Sequence, residues 1–462
     1  MLTASRSSIA ARLENLPIGK FHYRFISLVS LGEWFDMYDL FMVAYIGAAL
    51  QNSGFLSLHQ FTQFVAAGFL GMFVGTVLFG ISSDEVGRRT SFVAMLLVYS
   101  AFTLVGSLAP SATWLVVCRF LAGIGIGAEI VVIDAYVSEM VPSSARGRFV
   151  AITQVIGFTS VPTVAVLSRI LVPRHFLFSG WRWVMVIGAA GALLAWCLRL
   201  GLPESPRWLE SVGRRQEAES ILETIEAQSQ APNASTAKPV LGKKIPQRLD
   251  GAAADIMQHR WNLSRFRELW SPTYRSRTVM LIIFQTLQTL GFYGFANWAP
   301  TFLLKRGIGL LQSLNYSLLI ALIAPAGPLI ASFTADRLER KWTIFALALS
   351  IAGFGLGFAI WRTAAMIVLS GALVTLCSNW FSAVLHSYQS ELFPTRIRAT
   401  GVGFTYSWSR LSAALSSFLI AAVLVRGVAA VFAMLAVAMI GVAIAIAFGP
   451  TTNRKGLEEL SA

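Results

Sequence analysis

Three acids lie close together in a stretch that is otherwise apolar. The segment LGEWFDMYDLF, residues 31–41, carries Glu33, Asp36 and Asp39. A carboxylate at the centre of a bilayer costs roughly 2.5–3.5 kcal/mol even on lenient insertion scales, so one that persists there marks a proton, a partner or a substrate. Asp36 and Asp39 stand about 60° apart around a helix, and Glu33 is one turn earlier. Burial penalises the charged form. An acid on this helix can therefore take up a proton and lose the penalty. A plainer account stays open, in which one acid pairs with a base and the others hydrate in a cavity. Asp36 is about twelve residues, or ~18 Å of helix, from Arg24, which places it near mid-depth.

Two arginines also fall inside apolar runs, Arg119 and Arg410. A lone arginine at that depth must face a cavity or a partner, and its planar fork suits a carboxylate. Arg410 is read as the ligand of an anionic substrate group or of a buried acid. Arg119 is read either the same way or as half of an ion pair near the outer surface. Glu129 follows Arg119 at about 80° off register and can share its broad side of the helix. It joins Asp36 and Asp39 as a proton-coupling candidate, while Asp134 belongs nearer the cytoplasmic end. His386 is a second-line coupling candidate, since histidine titrates near neutrality, although such a residue often serves helix packing. Gln285, Gln288 and Asn297 are amides in an apolar run and are read as substrate ligands, and the two glutamines share one face. Trp34, Tyr38, Phe292, Tyr293, Trp380 and Trp408 can wall a pocket for a flat ligand, with Tyr38 and Trp408 the favoured pair.

The elements that must hold these residues follow from composition. The 462 residues are 55% hydrophobic and 13% charged, and the mean hydropathy is +0.64. A soluble protein carries about 25% charged residues, so this chain has too few to cover a water-facing surface. The net charge of +14 does not form one basic face, which argues against nucleic acid. Cys118, Cys197 and Cys377 sit in apolar runs with no metal-ligand spacing. Neither metal nor cofactor is called for. The N-terminal segment lacks the apolar core of a signal peptide.

Apolar runs give about twelve helical spans, near 24–50, 60–82, 91–109, 113–138, 148–171, 181–200, 276–303, 314–335, 341–361, 365–390, 399–424 and 428–449. The runs are continuous rather than alternating, which excludes a barrel. Lysine and arginine concentrate in one set of loops and at both ends of the chain, so both termini are expected in the cytoplasm. The expected order is a cytoplasmic segment 1–23, a six-helix bundle 24–200, a partly helical cytoplasmic linker 201–275, a second bundle 276–449 and a tail 450–462. The linker's Pro-, Ser- and Ala-rich part reads as a flexible tether.

The chain repeats itself. An offset of 252 residues superposes Asp84 on Asp336, Arg88 on Arg340, Arg89 on Lys341, Glu139 on Glu391, Pro142 on Pro394 and Arg146 on Arg398. These coincidences all fall at cytoplasmic span ends. They imply two six-helix halves in parallel, with a substrate site near the midplane between them. The same offset puts Gln288 on Asp36 and His386 on Asp134.

The architecture resembles the major facilitator superfamily, and several motifs carry the resemblance. GISSDEVGRR, Gly80 to Arg89, resembles the signature GxxxD(R/K)xGR(R/K) between spans 2 and 3. It departs from that pattern at Glu85, and the second-half copy departs at Ser332 and Glu339. RFLAGIGIGAE, Arg119 to Glu129, resembles the span 4 signature. PESPRWL, Pro203 to Leu209, is similar to the motif after span 6 in sugar porters and synaptic-vesicle-protein-2-like branches. FDMYD, Phe35 to Asp39, and NWAPT, Asn297 to Thr301, resemble nicotinate-transporter-like and aromatic-acid:proton symporters. The glutamine pair on span 7 resembles sugar porters, whose amides bind hydroxyls.

The resemblance implies alternating access, with Asp84, Arg88, Arg89, Glu139, Arg146, Asp336, Arg340, Glu391 and Arg398 as a cytoplasmic gate. Bases there can bridge loop carboxylates. The expected function is secondary active transport, as proton symport of a small organic anion such as an aromatic carboxylate. A sugar or polyol porter is second; an organic cation carrier or a transport-dead sensor is third. No Walker motif or nucleophile elbow points to a pump or an enzyme. Partners are expected to be the substrate, protons and lipid, with no nucleic acid, and the chain is expected to work as a monomer.

Overall fold

The computed structural model describes residues 9–127, 133, 136–137, 139–229, 263–334, 337–393 and 395–452. Glu129, Asp134 and Asp336, and the side chains of Asp84, Arg146 and Arg398, lie outside the described residues.

The chain is almost wholly helical. The N-terminal half runs α1 (Ile9–Glu14), α2 (Lys20–Asn52), α3 (Leu58–Val86), α4 (Arg88–Ser107), α5 (Ala112–Gly127), α6 (Ser143–Phe158), α7 (Ser160–Leu171) and α8 (Gly180–Arg199). A two-residue hairpin, β1 (His175–Phe176) and β2 (Phe178–Ser179), joins α7 to α8. The connecting segment adds α9 (Pro206–Ser211), α10 (Arg215–Ser229) and α11 (Leu263–Glu268). The second half runs α12 (Pro272–Ala296), α13 (Ala299–Lys305), α14 (Leu310–Ala321), α15 (Ala326–Thr334), α16 (Arg340–Ile360), α17 (Ala364–Glu391), α18 (Thr395–Leu424) and α19 (Val428–Ala447). Among the described residues nine helical stretches are long and apolar enough to cross a membrane, and α5 is a shorter apolar helix. With α2, α3 and α5 they fall on the expected span positions.

Local sequence explains the breaks. Ser57 and Gln60 cap α3 reciprocally, with Ser57 Oγ accepting from the Gln60 N–H at 3.2 Å and Gln60 Oε1 from the Ser57 N–H at 2.9 Å. The break between α12 and α13 falls at Asn297–Trp298, just before Pro300, which lacks the N–H that would continue the helix. Helices α3 and α5 touch backbone to backbone. A Cβ at Gly71 would lie 2.1 Å from the Phe120 carbonyl oxygen, and one at Gly75 would lie 2.0 Å from that of Ile124. Any larger residue would separate the two spans.

A second, smaller core lies at the end of the bundle where α2 begins. Ile9, Leu13, Phe25, Leu222 and Ile225 pack together with Trp208 and Leu209. Arg12 grips Glu226 through two hydrogen bonds of 2.9 and 2.7 Å, and Arg207 meets Glu14 at 2.6 Å. The Glu226 carboxylate holds the Arg12 guanidinium above its usual range. The first part of the linker, expected to be helical, forms α9 and α10 and packs on the N-terminal segment through apolar contact and charge pairing; from residue 230 its Pro-, Ser- and Ala-rich part lies outside the described residues.

Candidate functional site

The first cluster sits inside the N-terminal half. Asp39 on α2 and Arg119 on α5 form an ion pair, and both are almost fully buried. Thr103 Oγ1 of α4 donates to the other Asp39 oxygen at 3.1 Å. The Phe64 ring lies 5.9 Å from the Arg119 guanidinium. The carboxylate thus takes a charged and a neutral donor from two neighbouring helices, which is how a buried charge becomes tolerable. Arg119 had two readings, substrate ligand or ion pair, and it stands in the ion pair; its partner is a buried acid rather than a group at the outer surface. Asp36 and Glu33 are also buried on α2, and Glu33 faces Gly157 on α6. Arg199 of α8 lies against Gly32 and donates to the carbonyls of Leu28 and Val29 at 3.2 and 2.9 Å.

The second cluster sits inside the C-terminal half. Arg410 on α18 is 3% exposed. Its Nη1 donates to the Tyr293 hydroxyl at 2.8 Å and its Nη2 to the Tyr406 hydroxyl at 3.0 Å. Among the described residues no carboxylate lies within 4.0 Å of it. The His386 ring is 5.9 Å from that of Tyr406, and its Nδ1 is 3.4 Å from Gln389 Nε2. A row of amides continues from there. Gln285 Nε2 donates to Gln389 Oε1 at 2.9 Å, and Gln288 Nε2 donates to Gln285 Oε1 at 3.0 Å. A positive charge solvated only by neutral dipoles keeps its attraction for an anion.

Three sequence expectations need correction or refinement. Asn297 stands apart from the amide row at Arg410 and lines a small cavity with Arg119 and groups of α2 and α3. Trp408 does not wall this cluster. It is 37% exposed and packs edge-on against Phe404. The reason is helical: two residues are about 200° of turn, so Trp408 and Arg410 cannot share a face. Tyr38 is buried, but its hydroxyl donates to the Val184 carbonyl at 3.0 Å and its ring stacks on Trp34. That is a packing contact between α2 and α8. Tyr406 and Gln389 escaped the sequence reading, although Tyr406 is one turn from Arg410, a spacing that brings side chains together.

The expected gate resolves into pairs within each half. Arg88 Nε meets Glu139 at 3.2 Å, and Arg340 Nη1 meets Glu391 at 2.9 Å. The two pairs are repeat equivalents, as the 252-residue offset requires. Arg89 contributes its backbone N–H, which donates to Glu204 Oε1 at 3.0 Å. Glu204, from the PESPRW stretch, thereby sits at the positive N-terminal end of α4. A further repeat was legible but unread. Tyr136 and Tyr388, also 252 apart, donate their hydroxyls to the carbonyls of Pro203 and Pro450, just beyond the last span of each half.

The halves meet at the opposite end of the bundle. Gln51 Nε2 donates to Thr301 Oγ1 at 3.1 Å, Arg169 Nε donates to Asn315 Oδ1, and Phe61 meets Trp298 with centroids 4.9 Å apart. Nearer mid-depth, Phe69 packs on Tyr293 at 4.7 Å. Tyr293 thus touches Arg410 in its own half and α3 in the other.

Comparison with known proteins agrees with this architecture. The family described as "Sugar (and other) transporter" matches residues 25–462, and the chain belongs to it. It is 32% identical over 458 residues to the putative metabolite transport protein YyaJ of Bacillus subtilis, covering 97% of each chain. It is 31% identical over 457 residues to the niacin transporter NiaP of Acinetobacter baylyi, covering 98% of this chain and 99% of the relative. Among solved structures, the xylose transporter XylE of Escherichia coli in a partially occluded inward-open conformation superposes with a TM-score of 0.73. That match has 20% identity and covers 94% of this chain and 99% of that one. The protein is a multi-pass membrane transporter with the major facilitator fold.

Proposed function

We propose that this transporter is a proton-coupled symporter of a small organic anion, with an aromatic carboxylate as the favoured class. The observation that carries the reading is the asymmetry of the two buried arginines: Arg119 is neutralised by Asp39, whereas Arg410, among the described residues, meets phenols and no carboxylate. The Arg410 charge recruits the substrate carboxylate, with Tyr293, Gln285 and Gln288 beside it. A proton on Asp39 breaks the pair and leaves the Arg119 charge unneutralised, so that Arg119 seeks another partner as the halves rock. Asp36 is the reserve carrier on the same helix. Both termini face the cytoplasm, and the membrane is a bacterial inner membrane. A relative named as a niacin transporter and a solved structure titled as a proton:xylose symporter support the transport class and the coupling.

The test is counterflow and pH-driven uptake in proteoliposomes with nicotinate, benzoate, shikimate, xylose and choline. Accumulation of a carboxylate that collapses with an uncoupler is expected. Uptake of xylose alone moves the assignment to a sugar porter. Uptake indifferent to the pH gradient removes proton coupling.

A further inference from the structure

A small cavity lies between the halves, beside the Asp39–Arg119 pair. Arg119 of α5 and Asn297 at the end of α12 both line it. The other walls are apolar groups of α2 and α3, among them Leu40, Val65 and Met72. Its volume is about 10 Å³, close to the least that holds one water molecule. Two of the residues that line it carry a buried polar atom with no hydrogen-bond partner among the described residues: Arg119 Nε and Asn297 Oδ1. Their residues are 5% and 2% exposed. The space beside Nε exists because residue 68 is glycine, where a Cβ would come within 2.8 Å of that nitrogen.

We propose that this cavity holds a single structural water that accepts from Arg119 Nε–H and donates to Asn297 Oδ1, and that Asn297 is the positioning residue through which the second half senses the charge state of Asp39. The inference rests on the proton-coupled reading above. A cation is excluded by the guanidinium, and an unpartnered buried donor and an unpartnered buried acceptor on residues that line one water-sized cavity are what a water satisfies. The groups that face Asp39 are Arg119 from α5 and Thr103 from α4. Gly68 to Met72 of α3 bring no charge, and Asn297 is neutral. A proton taken from solvent by Asp39 cancels its pull on Arg119. The water bridge then becomes the main polar tie of that guanidinium, and it leads into the second half. The tie enters a segment that also seals the far end of the bundle, because Trp298 meets Phe61 and Thr301 meets Gln51. Protonation in one half is thereby felt at the contact between halves.

Two measurements on the full-length protein test this. A cryo-EM map in nanodiscs, at a resolution that shows ordered water, is expected to hold one oxygen within hydrogen-bonding reach of both atoms. A dry cavity, or a side chain filling it, overturns the proposal irrespective of substrate. In proteoliposomes with nicotinate as probe, Asn297→Leu is expected to lower pH-driven accumulation at least tenfold while equilibrium exchange stays within about twofold. Asn297→Ser, which leaves room for water and a hydroxyl, is expected to recover most of the accumulation. Equal losses of accumulation and exchange in Asn297→Leu would show a merely structural role and overturn the coupling. If wild-type protein does not carry nicotinate, the substrate reading fails and the map alone decides the water.

Discussion

In the N-terminal half a buried guanidinium meets a carboxylate; in the C-terminal half it meets two phenols. Both arginines lie in helices of a repeated six-span unit, yet one is neutral as a pair and the other keeps its charge. The contrast teaches a division of labour. A pair of opposite charges is neutral as long as both partners are ionised. A cation held by dipoles keeps its charge, because phenols titrate far above neutrality in the ordinary range and guanidinium does not lose its proton. On the proposed function, one half switches and the other holds an anion. At the span ends where α4 and α16 begin the halves instead agree, with Arg88–Glu139 repeated as Arg340–Glu391.

The comparison can be broken most forcefully at the paired arginine. Asp39→Asn strands the Arg119 charge, and stranding one partner of a buried pair costs roughly 3–5 kcal/mol. A large drop in thermal unfolding temperature in detergent is expected, together with loss of pH-driven accumulation. The double variant Asp39→Asn/Arg119→Gln should recover much of the stability and none of the coupling. Additive losses in that cycle would mean that the pair is not a unit.

The next largest effect belongs to the other arginine. Arg410→Gln removes the anchoring charge, and a charge-assisted hydrogen bond of about 1.5–3 kcal/mol corresponds to a roughly 10- to 150-fold rise in apparent KM for a carboxylate substrate. Its stability should fall less than that of Asp39→Asn, because no buried partner is left charged. Equal destabilisation by the two variants would erase the contrast between halves.

Smaller effects are expected where the halves agree. Arg88→Gln and Arg340→Gln each break a largely buried pair at the rim of a half, and turnover should slow at normal expression. Exchanging charges in Arg88→Glu/Glu139→Arg should restore part of the rate. Smallest of all, Tyr406→Phe deletes one neutral acceptor from Arg410, at about 1 kcal/mol. A shift in apparent KM without loss of expression sharpens the assignment of the phenols to the anion site.

Much of the fold was legible because a membrane imposes it. Span length is fixed by bilayer thickness, and both gate pairs follow from local spacing plus the 252-residue repeat. The amides Gln285 and Gln288 were legible as neighbours because they are one turn apart on one helix. Less of the site could be read. Asp36 and Asp39 differ by about 60° of helix rotation, and sequence spacing does not say how α2 is rotated in the bundle. Trp408 was misplaced although its two-residue spacing from Arg410, about 200° of turn, already puts it on another face, and Tyr406 was missed although it lay within about one turn of Arg410.

The sequence by itself determined that this chain is a two-fold repeated helical membrane protein with acids and arginines at mid-depth. Hydropathy, charge bias and repeat are properties of short or periodic segments, and these need no knowledge of neighbours. Only the tertiary structure decided that Asp39 meets Arg119, eighty residues away, and that Arg410 meets Tyr293 and Tyr406 instead of an acid. Those contacts depend on the rotation and approach of whole helices, which are set by packing such as the Gly71–Phe120 contact and not by the residues that carry the charge.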